Sequence, residues 1–188
     1  MNHLSIHDLE DFPLIRPNDN LSSIIIDSII NNNISIDNGD VILIAQKVVS
    51  KSENRYKDLS KINPSKEAIN IGESLDRDPA FIQLILEESN KILSTDKSVI
   101  IVEHKLGYIN INAGIDRSNI SENKNLVLLL PENPKKSATY IHSQISKQLK
   151  KDISVIITDS MTRPYRACLL YTSPSPRDLS TSRMPSSA

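Results

Sequence analysis

The 188-residue sequence has a single cysteine, Cys168, and it lies in a C-terminal stretch that differs from the rest. Ahead of that stretch there is no thiol, which excludes a disulfide framework and a thiolate metal site. Neither sign of charge is in excess: 22 Lys and Arg face 23 Asp and Glu, for a formal net charge of −1. That balance argues against a nucleic-acid partner. No apolar run is long enough to span a bilayer, so no membrane partner is expected. Met1-Asn2-His3-Leu4 lacks the basic and apolar regions of a secretory signal, and a cytoplasmic chain is expected. Glycine is scarce, with four residues, and no internal repeat is evident. The length suits one domain or two small ones.

What is present is a mixture of helix and strand signals, which predicts an α+β (mixed α/β) fold. Leu4–Leu9 reads as an edge strand, and the prolines of Phe12-Pro13-Leu14-Ile15-Arg16-Pro17 fix an extended segment. Asp19 or Asn20 can cap a helix over Leu21–Ile30, with Leu21, Ile24, Ile25 and Ile29 on one face. Asp37-Asn38-Gly39-Asp40 is a turn, and Val41–Ala45 reads as a buried strand. Gln46-Lys47-Val48-Val49-Ser50-Lys51 reads as its continuation, polar on alternate positions. Two lysines leaving a strand suit an anion, though two solvated lysines would read the same way. Ser65 caps a helix to about Leu75, and Asp78-Pro79 opens another to about Leu93. On the second, Phe81, Ile82, Ile85 and Leu86 form the apolar face, while Glu87, Glu88 and Lys91 point outward. Val99–Glu103 and Tyr108–Ile111 form a hairpin; His104 near its turn reads either as a general base or, as is commoner there, as a solvated histidine, and is left unassigned. Leu126–Leu130 is a further buried strand, Pro134–Leu149 a helix, and Ile153–Thr158 a strand.

Two places carry chemistry. In Asn112-Ala113-Gly114-Ile115-Asp116-Arg117-Ser118-Asn119 a carboxylate follows a strand end beside small polar residues. Such a group can hold a hard cation or receive a phosphate-bearing ligand. The same letters also describe a turn or a helix cap. Asp159-Ser160 after Ile153–Thr158, with Arg163 close behind, repeats the arrangement. Asp116 and Asp159 are expected to meet at one metal–nucleotide site. Lys47, Lys51, Arg117, Arg163 and Arg166 are the cations available to an anionic ligand.

Five collinear blocks resemble the coenzyme F-420-0:L-glutamate ligase (gamma-glutamyl ligase) family. They are Phe12–Pro17, Asp37–Lys51, Val102–Gly107, Asn112–Asn119, and Ile156–Ser160 with Arg163-Pro164. The resemblance covers residues 1–166, read as the N-terminal part of the ligase domain. It implies a GTP-dependent enzyme that adds L-glutamate to coenzyme F-420-0 through a gamma-glutamyl amide bond, by way of an acyl phosphate. It implies Asp116, Asp159 and Ser160 as ligands of Mg²⁺ or Mn²⁺, with K⁺ a further candidate. It sets Phe12, Pro13, Leu14, Ile15, Gln46, Lys47, Lys51 and Asn119 near GTP, and Asp116, Asp159 and Arg163 as the catalytic set. It also implies a homodimer. Met161-Thr162 departs from the family's aromatic-Gly pair before Arg163-Pro164. The family continues past Arg166 with further ligands, so a chain truncated there is expected to be inactive. The competing expectations are a non-catalytic nucleotide- or metal-binding remnant and a metal-dependent phosphoryl-transfer enzyme. An aspartyl nucleophile at Asp159 would generally need a second Asp two residues on, and Met161-Thr162 supplies none.

From Cys168 to Ala188 the composition changes to six serines and three prolines with no Ile, Asn or Lys. Such a composition supports a disordered tail. Its first eleven and last seven residues resemble translated sequencing adapter and primer, with Leu179-Ser180-Thr181 between them. Residues 167–188 are therefore read as a non-native tail.

Overall fold

A computed structural model of the chain describes residues 4–96, 99–118, 120 and 123–159. The elements in order are α1 (Leu21–Asn31), β1 (Val41–Ala45), α2 (Gln46–Ser52), β2 (Tyr56–Asp58), α3 (Lys66–Leu75) and α4 (Pro79–Glu87). There follow β3 (Ser89–Thr95), β4 (Ile100–His104), β5 (Ile109–Ile111), β6 (Leu126–Leu128), α5 (Pro134–Leu149) and β7 (Ser154–Thr158). The fold is α+β, as the sequence pattern predicts. No helix among the described residues is long and apolar enough to cross a membrane.

Capping chemistry sets most helix starts. The side chains of Asn20, Ser65, Asp78 and Asn133 accept from backbone amides in the first turns of α1, α3, α4 and α5. Asn133 works beside Glu53, whose carboxylate accepts from the Glu132 amide and the Ser137 hydroxyl.

The strands form three small sheets among the described residues. β1 and β7 pair in parallel, from Val41↔Ser154 to Ala45↔Thr158. β2 and β6 pair antiparallel, and β3-β4-β5 form an antiparallel meander. Two apolar clusters hold these together. One gathers α4, β4 and β6 around Phe81, Ile82, Ile85, Val102 and Val127. The other packs α1 and α5 with Ile44 and Val49. Full burial of each such side chain contributes about 1.5–3 kcal/mol.

Several expectations need correction. Residues 4–9 form no strand; the segment after them is pinned where Asn32 exchanges two hydrogen bonds with the Glu10 backbone. Gln46–Ser52 is a helix rather than a continuation of β1, because it turns Val49 into the second cluster. β1 is not buried on both faces: Val41 and Leu43 are exposed and only Ile44 is fully covered. α4 stops at Glu87, where the Ser89 hydroxyl bonds the Ile85 carbonyl, and the chain continues as β3.

Candidate functional site

The Asp116 carboxylate is set by an unusual turn. Asn112, Ala113 and Gly114 all have positive φ, at 49°, 54° and 66°. Left-handed backbone costs a non-glycine residue about 1 kcal/mol, so this turn is held by its surroundings. The Asn112 side-chain oxygen accepts from the Arg77 guanidinium at 3.0 Å and the Ile100 amide at 3.3 Å. Ala113 is fully buried, and a Cβ on Gly114 would come within 3.0 Å of the Leu130 side chain. The chain then straightens, and Asp116 exchanges two 2.9 Å backbone bonds with Leu128 beside β6.

With its backbone clamped, the Asp116 side chain meets Lys47. The Lys47 Nζ lies 2.6 Å from Asp116 Oδ2 and also donates to the Ser118 carbonyl at 3.0 Å. The Ser118 amide and hydroxyl both donate to Asp116 Oδ1, at 2.8 and 3.0 Å. Burial alone would raise the Asp116 value, but the hydrogen bonds from Lys47 and Ser118 and the lysine's charge hold it below the usual carboxylate range. Asp116 is thus an ionised hard-oxygen group with a cation already seated on it.

Lys47 reaches Asp116 from the first turn of α2, and Lys51 stands one turn on along the same helix. Because Ala45 pairs with Thr158, the residues after each strand, Gln46-Lys47 and Asp159, leave the same end of the parallel pair. Lys47 thereby links that end to the Asp116 turn. Phe12 is partly buried on the second cluster, Pro13 and Leu14 are exposed, and Ile15 is buried. This segment is tied to α2 where the Asn18 amide donates to the Ser52 carbonyl. Gln46 is buried and donates to the Ser50 hydroxyl at 2.6 Å. Asn119, Ser160 and Arg163 lie outside the described residues. Among the described residues, no three His, Cys, Asp or Glu side chains gather to hold a metal.

Behind the turn stands a network that sequence reading missed. Glu88 does not point outward; its Oε2 lies 3.3 Å from the Arg55 guanidinium. Arg55 Nε in turn donates to the Leu130 carbonyl at 2.8 Å, at the residue that packs on Gly114. Nor is His104 solvated. It is buried, its Nδ1 accepts from the Leu106 amide at 3.0 Å, and its Nε2 lies 3.8 Å from Glu88. A basic residue after the Asn54 turn and an acid closing a helix were the available signals, 33 residues apart.

These features define an α+β protein with an ionised carboxylate, fixed by a strained turn, beside the lysine-bearing end of a parallel strand pair. A family model described as F420-0:Gamma-glutamyl ligase matches residues 11–183, and the chain belongs to that ligase family. It is 42% identical over 131 residues to the coenzyme F420:L-glutamate ligase of Methanocaldococcus jannaschii, covering 70% of this chain and 51% of that protein. It is 34% identical over 163 residues to the enzyme of the same name from Methanothermobacter thermautotrophicus, covering 87% of this chain and 64% of that one. The Archaeoglobus fulgidus protein of that name is also 34% identical over 163 residues, with 87% and 62% covered. The chain therefore spans between half and two thirds of the length of these relatives.

Proposed function

We propose that the chain is the N-terminal portion of a GTP-dependent ligase that joins L-glutamate to coenzyme F-420-0 through a gamma-glutamyl amide bond. Family membership supports the reaction class. The observation that supports the site is the 2.6 Å contact between Lys47 and Asp116, which joins two separately packed parts of the chain.

Joining a carboxylate to an amine in water needs an activated acyl group, here an acyl phosphate formed from GTP. Catalysis then consists mostly of positioning and charge neutralisation. Asp116, Asp159 and Ser160 would hold Mg²⁺ or Mn²⁺. The donor set suits such an ion, because Mg²⁺ is commonly bound by one or two carboxylates, with water and substrate phosphates completing its shell. The low proton affinity of Asp116 keeps its oxygens available at neutral pH. When bound, the metal supplies charge neutralisation at the transferred phosphoryl group. Lys47 and Lys51, one turn apart on α2, hold the triphosphate, while the Phe12–Ile15 segment and Asn119 flank the nucleotide. Arg163 offsets charge as phosphate leaves. Assembly as a cytoplasmic homodimer belongs to the same reading.

Titration calorimetry of the folded chain with GTP and Mg²⁺ tests this. Saturable binding that Asp116→Ala abolishes is expected. A folded chain with no affinity for GTP contradicts the assignment.

A further inference from the structure

The Lys47–Asp116 pair joins parts of the chain that pack in different clusters. Lys47 rides on α2, whose Val49 lies in the second cluster, and Asp116 follows Ala113 and Ile115 of the first. Arg55 bonds to both parts. Its amide donates to the Ser50 carbonyl of α2 at 3.0 Å, and its carbonyl accepts from the Leu129 amide at 3.0 Å. Its Nε donates to the Leu130 carbonyl at 2.8 Å. Leu129 and Leu130 directly follow Leu128, the residue that exchanges backbone bonds with Asp116. The guanidinium is aimed by the Glu88 carboxylate, 3.3 Å away. Glu88 is itself held twice. Its amide donates to the Leu84 carbonyl of α4, and its carbonyl accepts from the Lys105 amide in the turn between β4 and β5.

Stabilisation alone gives a poor account of this arrangement. The two side chains are 22% and 18% exposed, and an ion pair so enclosed gives back much of its attraction as lost hydration. What a planar donor fork supplies is direction, here toward Leu130 and Glu88 at once. We propose that Arg55 is a positioning residue for the candidate site, holding α2 against Leu128–Leu130 so that Lys47 meets Asp116. Glu88 braces it. The bearing of this on catalysis rests on the function proposed above; the hold on the Lys47–Asp116 pair does not.

The test is a double-mutant cycle between Lys47 and Arg55 in the 188-residue chain, read by urea unfolding at pH 7. The Arg55 side chain bonds to Leu130 and Glu88 rather than to Lys47 or Asp116, so a purely local role predicts additive losses. A positioning role predicts that Lys47→Met shifts the unfolding midpoint about half as far, or less, in an Arg55→Ala background as in the parent. Arg55→Lys, which keeps the charge without the fork, should fall between. Glu88→Gln keeps the side chain's shape and the Arg55–Leu130 bond. It should also reduce the Lys47→Met shift, and it carries the test if Arg55→Ala does not fold. Equal Lys47→Met shifts in the parent and in Arg55→Ala, or in Glu88→Gln where Arg55→Ala does not fold, overturn the proposal. Titration of the parent with GTP and Mg²⁺ separates the two claims. Reduced shifts in a chain without affinity for GTP leave the positioning role standing and overturn the ligase reading. Additive shifts in a chain that binds GTP overturn the positioning role alone.

Discussion

Replacing Lys47 by methionine keeps most of the side-chain stem and deletes its charge. In the parent chain that ammonium touches Asp116 Oδ2 at 2.6 Å and the Ser118 carbonyl at 3.0 Å, with the two side chains 32% and 25% exposed. A fully exposed pair contributes about 0–1 kcal/mol, and a charge-assisted hydrogen bond about 1.5–3. Lys47→Met should therefore cost about 1–2 kcal/mol at pH 7, read by urea unfolding. The sign with pH follows from the lowered value of Asp116. The pair's contribution is complete above the unfolded carboxylate value near 4 and is lost as pH falls through the lower folded value. The parent and variant curves should therefore converge in acid. Ligand binding should move in two directions. Mn²⁺ alone should bind about tenfold more tightly to the variant, because a competing cation has left the carboxylate. GTP should bind more weakly, because a phosphate-facing charge is gone. Titration calorimetry with each ligand reads both. Mn²⁺ affinity that falls or stays fixed would refute the idea that Lys47 occupies a cation's place.

Two further predictions concern the scaffold. Burial pushes the His104 value down, with Glu88 opposing and Lys105 and Arg55 adding to the fall. Between the folded value and about 6.5 the unfolded chain binds more protons, so stability should drop as pH falls below about 6.5. His104→Gln should flatten that slope in pH-dependent urea unfolding, and an unchanged slope would place its origin elsewhere. Gly114→Ala sets a Cβ at φ +66° and 3.0 Å from the Leu130 side chain. It should cost about 1–3 kcal/mol, and a loss below about 0.5 kcal/mol in the same assay would show that the turn is not strained.

Where local chemistry decides structure, the sequence was legible. Asn20, Ser65 and the Asp78-Pro79 pair mark helix starts by capping, and Lys105-Leu106-Gly107 marks the hairpin between β4 and β5. Asn54 takes a left-handed conformation at φ 54°, which asparagine tolerates better than most residues. Tertiary packing overrode the local signal at Val48-Val49, where β-branched residues suggest strand and the second cluster instead stabilises a helix. It did so again at Ser89–Thr95, where apolar residues continue the period of α4 but pair with β4. The site's blocks were visible as residues but not as contacts. Lys47 and Asp116 are 69 positions apart, and Lys47 was read as an anion ligand or a solvated lysine, so its ion pair to Asp116 was not foreseen. Arg77 carried no sequence signal, since it sits in a polar stretch between two helices.

We propose that Asp116 and Asp159 grip one divalent ion. A double-mutant cycle on Mn²⁺ affinity in the presence of GTP measures it directly, using Asp116→Asn, Asp159→Asn and the pair together. Each single replacement should weaken Mn²⁺ binding at least about tenfold, and the double should be little worse than either, as for two ligands of one ion. A single variant that binds Mn²⁺ as well as the parent would show that the two carboxylates serve different sites.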